Sequence, residues 1–308
     1  MNIHKELKVN KIKTFLIILL FPLVLGVLFY ASLWALFYFA QQPNSQIPVY
    51  YHVNHWASLV LPIVAVISIL WMMISYYKGG DMMMRAAGAV EIKRKDSPEI
   101  YSLVQNVAAT AGVPTPRVFI MNTQTLNAFA TGRDPEHSAV ALTVGIINKL
   151  NRPELEAVIA HEMGHIVNRD IRLTMLVSTG IGVLTLLGQI LIRVRARGKN
   201  GQAALVMNIA GLVFLFYGAF LAPIIMFALS RRREFQADAT SAYLTRNPLA
   251  LASALEKISG HSEVEALKDN TLVSAACIEK AVKPGKFLSG LFSTHPPIEE
   301  RVRILRGN

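Results

Sequence analysis

Four apolar runs punctuate the chain: Thr14 to Ala40, Trp56 to Tyr77, Ile171 to Val194 and Ala203 to Leu229. Each offers roughly 20 apolar residues, enough at about 1.5 Å per residue to cross a hydrocarbon core about 30 Å thick. The first run exceeds the roughly 7–15 residues of a signal-peptide core and has no small-residue cleavage site before the second, so it reads as a retained span. Between and after the runs the periodicity changes. "SPEIYSLVQNVAATAG" predicts a helix with Ser97 as N-cap, Pro98 at its first position, a stripe of Ile100, Leu103, Val104 and Val107, and Gly112 past its end. "RVFIMN", "TLNAFATG" and "AVALTVGII" are short runs bounded by turn residues and predict strands.

"LNRPELEAVIAHEMGHIVNRD" returns to helical spacing, with Asn151 as N-cap and Leu155, Val158, Ile159, Ile166 and Val167 apolar. After the fourth run, "RRREFQADATSAYLTRN" and "PLALASALEKISG" predict two more helices with a turn at Asn247 and Pro248. The fold class expected is α+β: a mainly helical body with a small sheet, plus four transmembrane or membrane-hairpin helices. Its parts are 1–78 (two spans and a short polar loop), 79–170 (first part of the body), 171–229 (membrane hairpin) and 230–308 (second part of the body).

Composition agrees with a membrane chain: 53% of residues are hydrophobic and only 17% charged. The net charge of +11 comes from basic clusters flanking the apolar runs, with no aromatic-interleaved basic face, which argues for a lipid bilayer and against nucleic acid. The loop between the first two runs lacks Lys and Arg, whereas the N-terminal tail carries four and the segment after the second run five. The positive-inside rule therefore puts the polar body in the cytosol. The link "RVRARGKNGQ", with Arg193, Arg195, Arg197 and Lys199, breaks the rule locally, and a hairpin that enters without crossing is the alternative there. Cys277 is the only cysteine, so a metal site in this chain must use His and carboxylate ligands.

"HEMGH" supplies such ligands. His161 and His165, four apart on a helix, direct their rings at one point, and Glu162 is turned aside to act on a water as general base. Chance predicts about 0.01 HExxH matches in a chain of this composition. A catalytic zinc takes three protein ligands, and the "HxxGxxH" continuation is absent. "EFQAD" offers Glu234 as the third ligand and Asp238, one turn on, as the acceptor that fixes a histidine tautomer. The two motifs lie 69 residues apart and flank the same membrane hairpin.

In this order "NAFATG", "HEMGH", the hairpin, "EFQAD" and "STHPP" resemble the membrane-embedded zinc metalloproteases of the HtpX type, gluzincins distantly related to the CAAX prenyl proteases. The resemblance runs from about Ser97 to Arg303. It implies one Zn2+ per chain on His161, His165 and Glu234, with Glu162 as the base. It also implies an edge strand at Asn127, Ala128 and Phe129 that pairs with an extended peptide, and a carbonyl or oxyanion donor at His295. Arg301 and Asp170 are expected to support the site through carboxylate pairing and ligand orientation. The activity implied is a bacterial inner-membrane endopeptidase acting on misfolded or membrane proteins at the cytosolic face, within stress-response quality control. A CAAX-type prenyl-peptide protease and a non-catalytic membrane scaffold or transporter are the alternatives.

Overall fold

The structure, a computed structural model, describes residues 3–40, 47–193, 208, 210–215, 222–259 and 297–307. Two 38-residue helices, α1 (Ile3–Ala40) and α2 (Val49–Ala86), form an antiparallel pair. Strand β1 (Ala89–Ile92), α3 (Pro98–Thr110), β2 (Arg117–Met121), β3 (Ala128–Gly132), β4 (Ser138–Thr143) and α4 (Val144–Lys149) follow. The remaining helices are α5 (Arg152–Val167), α6 (Asp170–Arg193), α7 (Ala222–Thr245), α8 (Pro248–Ser259) and α9 (Ile298–Leu305). Among the described residues three helices, α1, α2 and α6, are long and apolar enough to cross a membrane, rather than the four expected. The fourth run, 203–229, lies largely outside the described residues, and its last part is continuous with the helix that carries "EFQAD".

The sheet has the order β1-β2-β4-β3, with β2 and β4 parallel and the other pairs antiparallel. Side chains alternate between its faces. Val118, Ala128, Ala130, Val140 and Leu142 join α3, α5, α8 and α9 in an aliphatic core. Phe119, Met121, Phe129, Ala139 and Ala141 join Met72, Met83 and Met84 of α2 and Met175 and Leu176 of α6, with Ile17, Ile18 and Phe21 of α1 packed alongside. The sheet is thus the partition between the helices of the body and the ends of the apolar helices. Strand β4, buried along its whole length, is apolar without alternation because both of its faces are covered.

Three local departures from the expected elements have physical causes. The run "AVALTVGII" is a strand only to Thr143, whose hydroxyl accepts from the Ile146 N–H and starts α4 in mid-run. β1, "AVEI", is half exposed and has no clear apolar alternation, and it pairs in full with β2. Helix α2 runs on through Gly79 and Gly80 to Ala86, beyond its apolar stretch. A Cβ on Gly79 would lie 2.9 Å from Met175 Cγ, so the glycine is there for close approach to α6, not to end the helix. Arg117 clamps this extension to the sheet, donating to Asp81 (2.6 Å) on α2 and to Glu91 (3.1 and 2.7 Å) on β1.

Candidate active site

Helix α5 begins at a capping box: the Asn151 side chain accepts from the Glu154 N–H, and the Glu154 carboxylate accepts from the Asn151 N–H. Glu154 also accepts from Ser253 Oγ (2.7 Å) and Lys257 Nζ (2.7 Å), which fastens the start of α5 to α8. Burial pushes its pKa up, but the hydrogen bonds from Lys257, Ser253 and the Asn151 amide win and hold it below the usual carboxylate value.

Two turns further on, His161 and Glu162 are buried and His165 is partly open. Their helix packs closely on α7, because Gly164 leaves no side chain between them. A Cβ there would come within 3.1 Å of Ala237 Cα and 3.2 Å of Thr240 Cβ. Ser241 Oγ, buried on α7, donates to the Ala157 carbonyl (2.6 Å), a second tie between the two helices. The outcome is a convergence. His161 Nε2 lies 3.5 Å from Glu234 Oε2, His165 Nε2 lies 3.6 Å from Glu234 Oε1, and one ligand atom from each residue falls within 4.8 Å of the others.

The far side of each ring is also held. His161 Nδ1 donates to Asp238 Oδ1 at 2.9 Å, and His165 Nδ1 lies 3.4 Å from Asp170 Oδ2. With Nδ1–H directed at Asp238, Nε2 is the His161 nitrogen that faces Glu234, and its lone pair becomes a metal ligand once that nitrogen is deprotonated. Arg301, 1% exposed, reaches in from α9 and grips Asp238 at both oxygens, Nε to Oδ2 (2.8 Å) and Nη2 to Oδ1 (2.6 Å). Its Nη1 is 3.6 Å from Glu234 Oε2. Arg233 Nη1 approaches Asp170 Oδ1 at 3.9 Å.

These charges define what the site will accept. Burial alone would lower the pKa of His161, yet the hydrogen bonds to Asp238 and Glu234 overcome it and raise it to about 9. Burial raises Asp238, and Arg301 and His161 more than reverse this, to about 2. The Arg301 guanidinium is itself held above its ordinary value by Asp238, against the opposing effect of burial. Without a metal, the cluster recruits a proton to supply the positive charge it lacks. Two imidazole nitrogens and a carboxylate oxygen suit Zn2+, and ligand bonds of about 2.0–2.1 Å place tetrahedral donors about 3.4 Å apart, close to the distances found.

Of the residues expected at the site, the structure brings together His161, Glu162, His165, Glu234, Asp238, Asp170 and Arg301. Ala128 and Phe129 open β3, an edge strand of the sheet, and Asn127 immediately precedes it. All three are at most 1% exposed, and Phe129 points to the membrane-helix side. The outer edge of β3 has no strand partner among the described residues, and all five of its residues are buried. His295 lies outside the described residues. The sequence reading overlooked Gly164 and Ser241, whose signal is the small residue inside "HEMGH" matched by the small residues after "EFQAD".

Known proteins match at the level of the whole chain. The description of Peptidase family M48 fits residues 94–308. A protease HtpX homolog of Bacteroides fragilis is 35% identical, the match covering 96% of this chain and 95% of that one. Its counterpart in Caldanaerobacter subterraneus is 36% identical over the same shares, and that of Lactobacillus acidophilus is 36% identical over 98% and 99%. The crystal structure of S. mikatae Ste24p superposes with a TM-score of 0.45 at 18% identity, over 97% of this chain and 66% of that one, a likeness too loose to carry an argument. The matches extend through both motif helices and nearly the full length, and the chain belongs to Peptidase family M48, as a protease of the HtpX-like kind.

Proposed function

We propose that the protein is a zinc-dependent endopeptidase of the membrane, with His161, His165 and Glu234 as the metal ligands and Glu162 as the general base. The observation that carries this reading is the convergence of two imidazole Nε2 atoms and one carboxylate from helices 69 residues apart. Zn2+ held there would supply a Lewis acid that polarises the scissile carbonyl and brings the pKa of water toward 7. Glu162 follows the first ligand on the same buried turn. Its carboxylate takes a proton from the attacking water as oxygen bonds to the carbonyl carbon, then delivers it to the amide nitrogen as the C–N bond breaks. Asp238 and Asp170 hold the rings at Nδ1, and Arg301 holds Asp238 and faces Glu234. The outer edge of β3, which pairs with no further strand among the described residues and packs on α5, orients an extended substrate by strand addition. His295 is the proposed donor to the substrate carbonyl.

The distribution of Lys and Arg around the apolar helices supports a cytosolic body, in a bacterial inner membrane. Strand addition reads backbone more than side chains, which suits misfolded and membrane proteins of many sequences and hence quality control. The test compares purified wild type with Glu162→Gln. The reading expects one zinc per chain in both and casein cleavage at least about 100-fold slower in the variant. Undiminished cleavage at full zinc content removes Glu162 from the mechanism.

A further inference from the structure

A second polar cavity lies away from the metal site, where the helices leave their apolar runs. It holds about 250 Å3 and is lined by Tyr76, Tyr77 and Lys78 of α2, Arg133 just past β3, and Glu136 and Met175 among others. Its place along α2 is informative. Leu70 and Ile74, within the apolar run, are about half exposed, as lipid-facing residues are, and Tyr76, Tyr77 and Lys78 end that run. Tyrosine and lysine at such a boundary sit at the level of phospholipid headgroups.

The charges favour a single phosphodiester. Asp81 is engaged by Arg117, so it does not oppose an anion in the cavity. The Arg133 guanidinium stacks over Tyr77 (5.2 Å) and faces Asp134 at 3.4 Å, a carboxylate that His137 shares at 2.6 Å. Lys78 is exposed on the same wall. The lining therefore carries three cations, Lys78, Arg117 and Arg133, and two carboxylates, Asp81 and Glu136; Arg117 and Asp81 pair with each other, which leaves Lys78 and Arg133 facing the exposed Glu136, a balance of one positive charge. That balance accepts one negative charge more readily than the two of a free phosphate at neutral pH. The wall is rigid: the Arg172 side chain donates to the Arg133 carbonyl and its guanidinium lies 5.7 Å over the Tyr76 ring, which joins α6, α2 and the end of β3.

We propose that this cavity binds the phosphodiester headgroup of a membrane phospholipid, with Lys78 and Arg133 as the phosphate-binding cations. The proposal rests on the chain lying in a membrane and is independent of the zinc reading. It also ties lipid to chemistry, because Arg172 is two residues from Asp170, the partner of His165.

The test is native mass spectrometry of the full-length protein, stripped of lipid in a phosphate-free detergent and titrated with dioleoylphosphatidylglycerol. One lipid is expected to bind well ahead of the rest. Each cation removed should weaken it about five-fold, so Lys78→Gln with Arg133→Gln should weaken it roughly 25-fold. Lys93→Gln with Arg94→Gln, an equal charge loss outside the cavity, should change it less than about two-fold, and Lys78→Arg should retain it. Circular dichroism and the thermal midpoint verify folding; if the double variant does not fold, Lys78→Gln beside Lys78→Arg gives the same reading. Equal losses in both double variants mean diffuse electrostatics and overturn the proposal. So does equal binding of diacylglycerol, which has no phosphate, or displacement of the lipid by millimolar inorganic phosphate, which assigns the cavity to a free anion.

Discussion

The two faces of the sheet are packed with different materials. Among the described residues, the 29 buried hydrophobic residues on the side of the motif helices include a single methionine, Met163. On the side of the apolar helices, five of the ten described there are methionines: Met72, Met83, Met84, Met121 and Met175. Branched side chains have few rotamers and fix the spacing of what they pack, whereas the unbranched thioether of methionine fills irregular gaps and tolerates adjustment. The face that must hold two imidazoles and a carboxylate to within a few tenths of an ångström is aliphatic. The face that meets lipid-embedded helices is adaptable.

The most severe way to break this contrast is from the rigid side. Arg301→Gln leaves Asp238 buried without its bidentate partner, and the expected cost is about 3–5 kcal/mol of unfolding free energy with zinc affinity reduced about 10- to 100-fold. Denaturant unfolding in detergent and competitive zinc titration measure the two. Gly164→Ala forces α5 and α7 apart at a contact of 3.1 Å with backbone. It should cost about 1–3 kcal/mol and weaken zinc binding without touching a ligand. A variant that binds zinc as the wild type does would show that this helix spacing does not set the ligand geometry.

A paired truncation sharpens the comparison itself. Ile159→Ala, in the aliphatic core beside His161, should cost about 2–5 kcal/mol and lower zinc affinity. Met121→Ala should fall at the low end of that range and leave zinc affinity within about two-fold. Equal effects on zinc would erase the distinction between the faces.

The smallest effect concerns Glu154, whose folded pKa lies below its ordinary value. Its contribution to stability is complete above the usual carboxylate range and disappears as the pH falls through the depressed folded value. Glu154→Gln should therefore cost about 1 kcal/mol near neutral pH, and the difference from wild type should shrink as the pH is lowered toward 3. A difference that grows on acidification has the wrong sign for this linkage.

What could be read from the chain, and what could not, follows from the range of the forces involved. His161 with His165 and Glu234 with Asp238 are legible because a four-residue spacing on a helix is a local fact. Asn151 as an N-cap is legible for the same reason, and the structure adds only the partner, Glu154. The extension of α2 is not, because Gly79 and Gly80 read locally as a break. Gly79 serves close approach to Met175, which is distant in sequence, whereas a Cβ on Gly80 would make only ordinary contact with Gly132. The end of β4 is misleading for a related reason: β-branched residues continue past Thr143, and one side-chain cap decides the switch to helix. Gly164 is visible as a letter, but the neighbours it admits, Ala237 and Thr240, belong to the other motif helix.

The central claim, that α5 and α7 meet to hold one zinc ion on two imidazoles and one carboxylate, is tested most directly by X-ray absorption of the zinc-loaded full-length protein beside Glu234→Gln. The account predicts a four-coordinate site in the wild type with two histidine nitrogens and oxygen ligands at about 2.0–2.2 Å, and a loss of affinity in the variant. A wild-type zinc environment without two imidazoles, or one left unchanged in shell and affinity by Glu234→Gln, contradicts it.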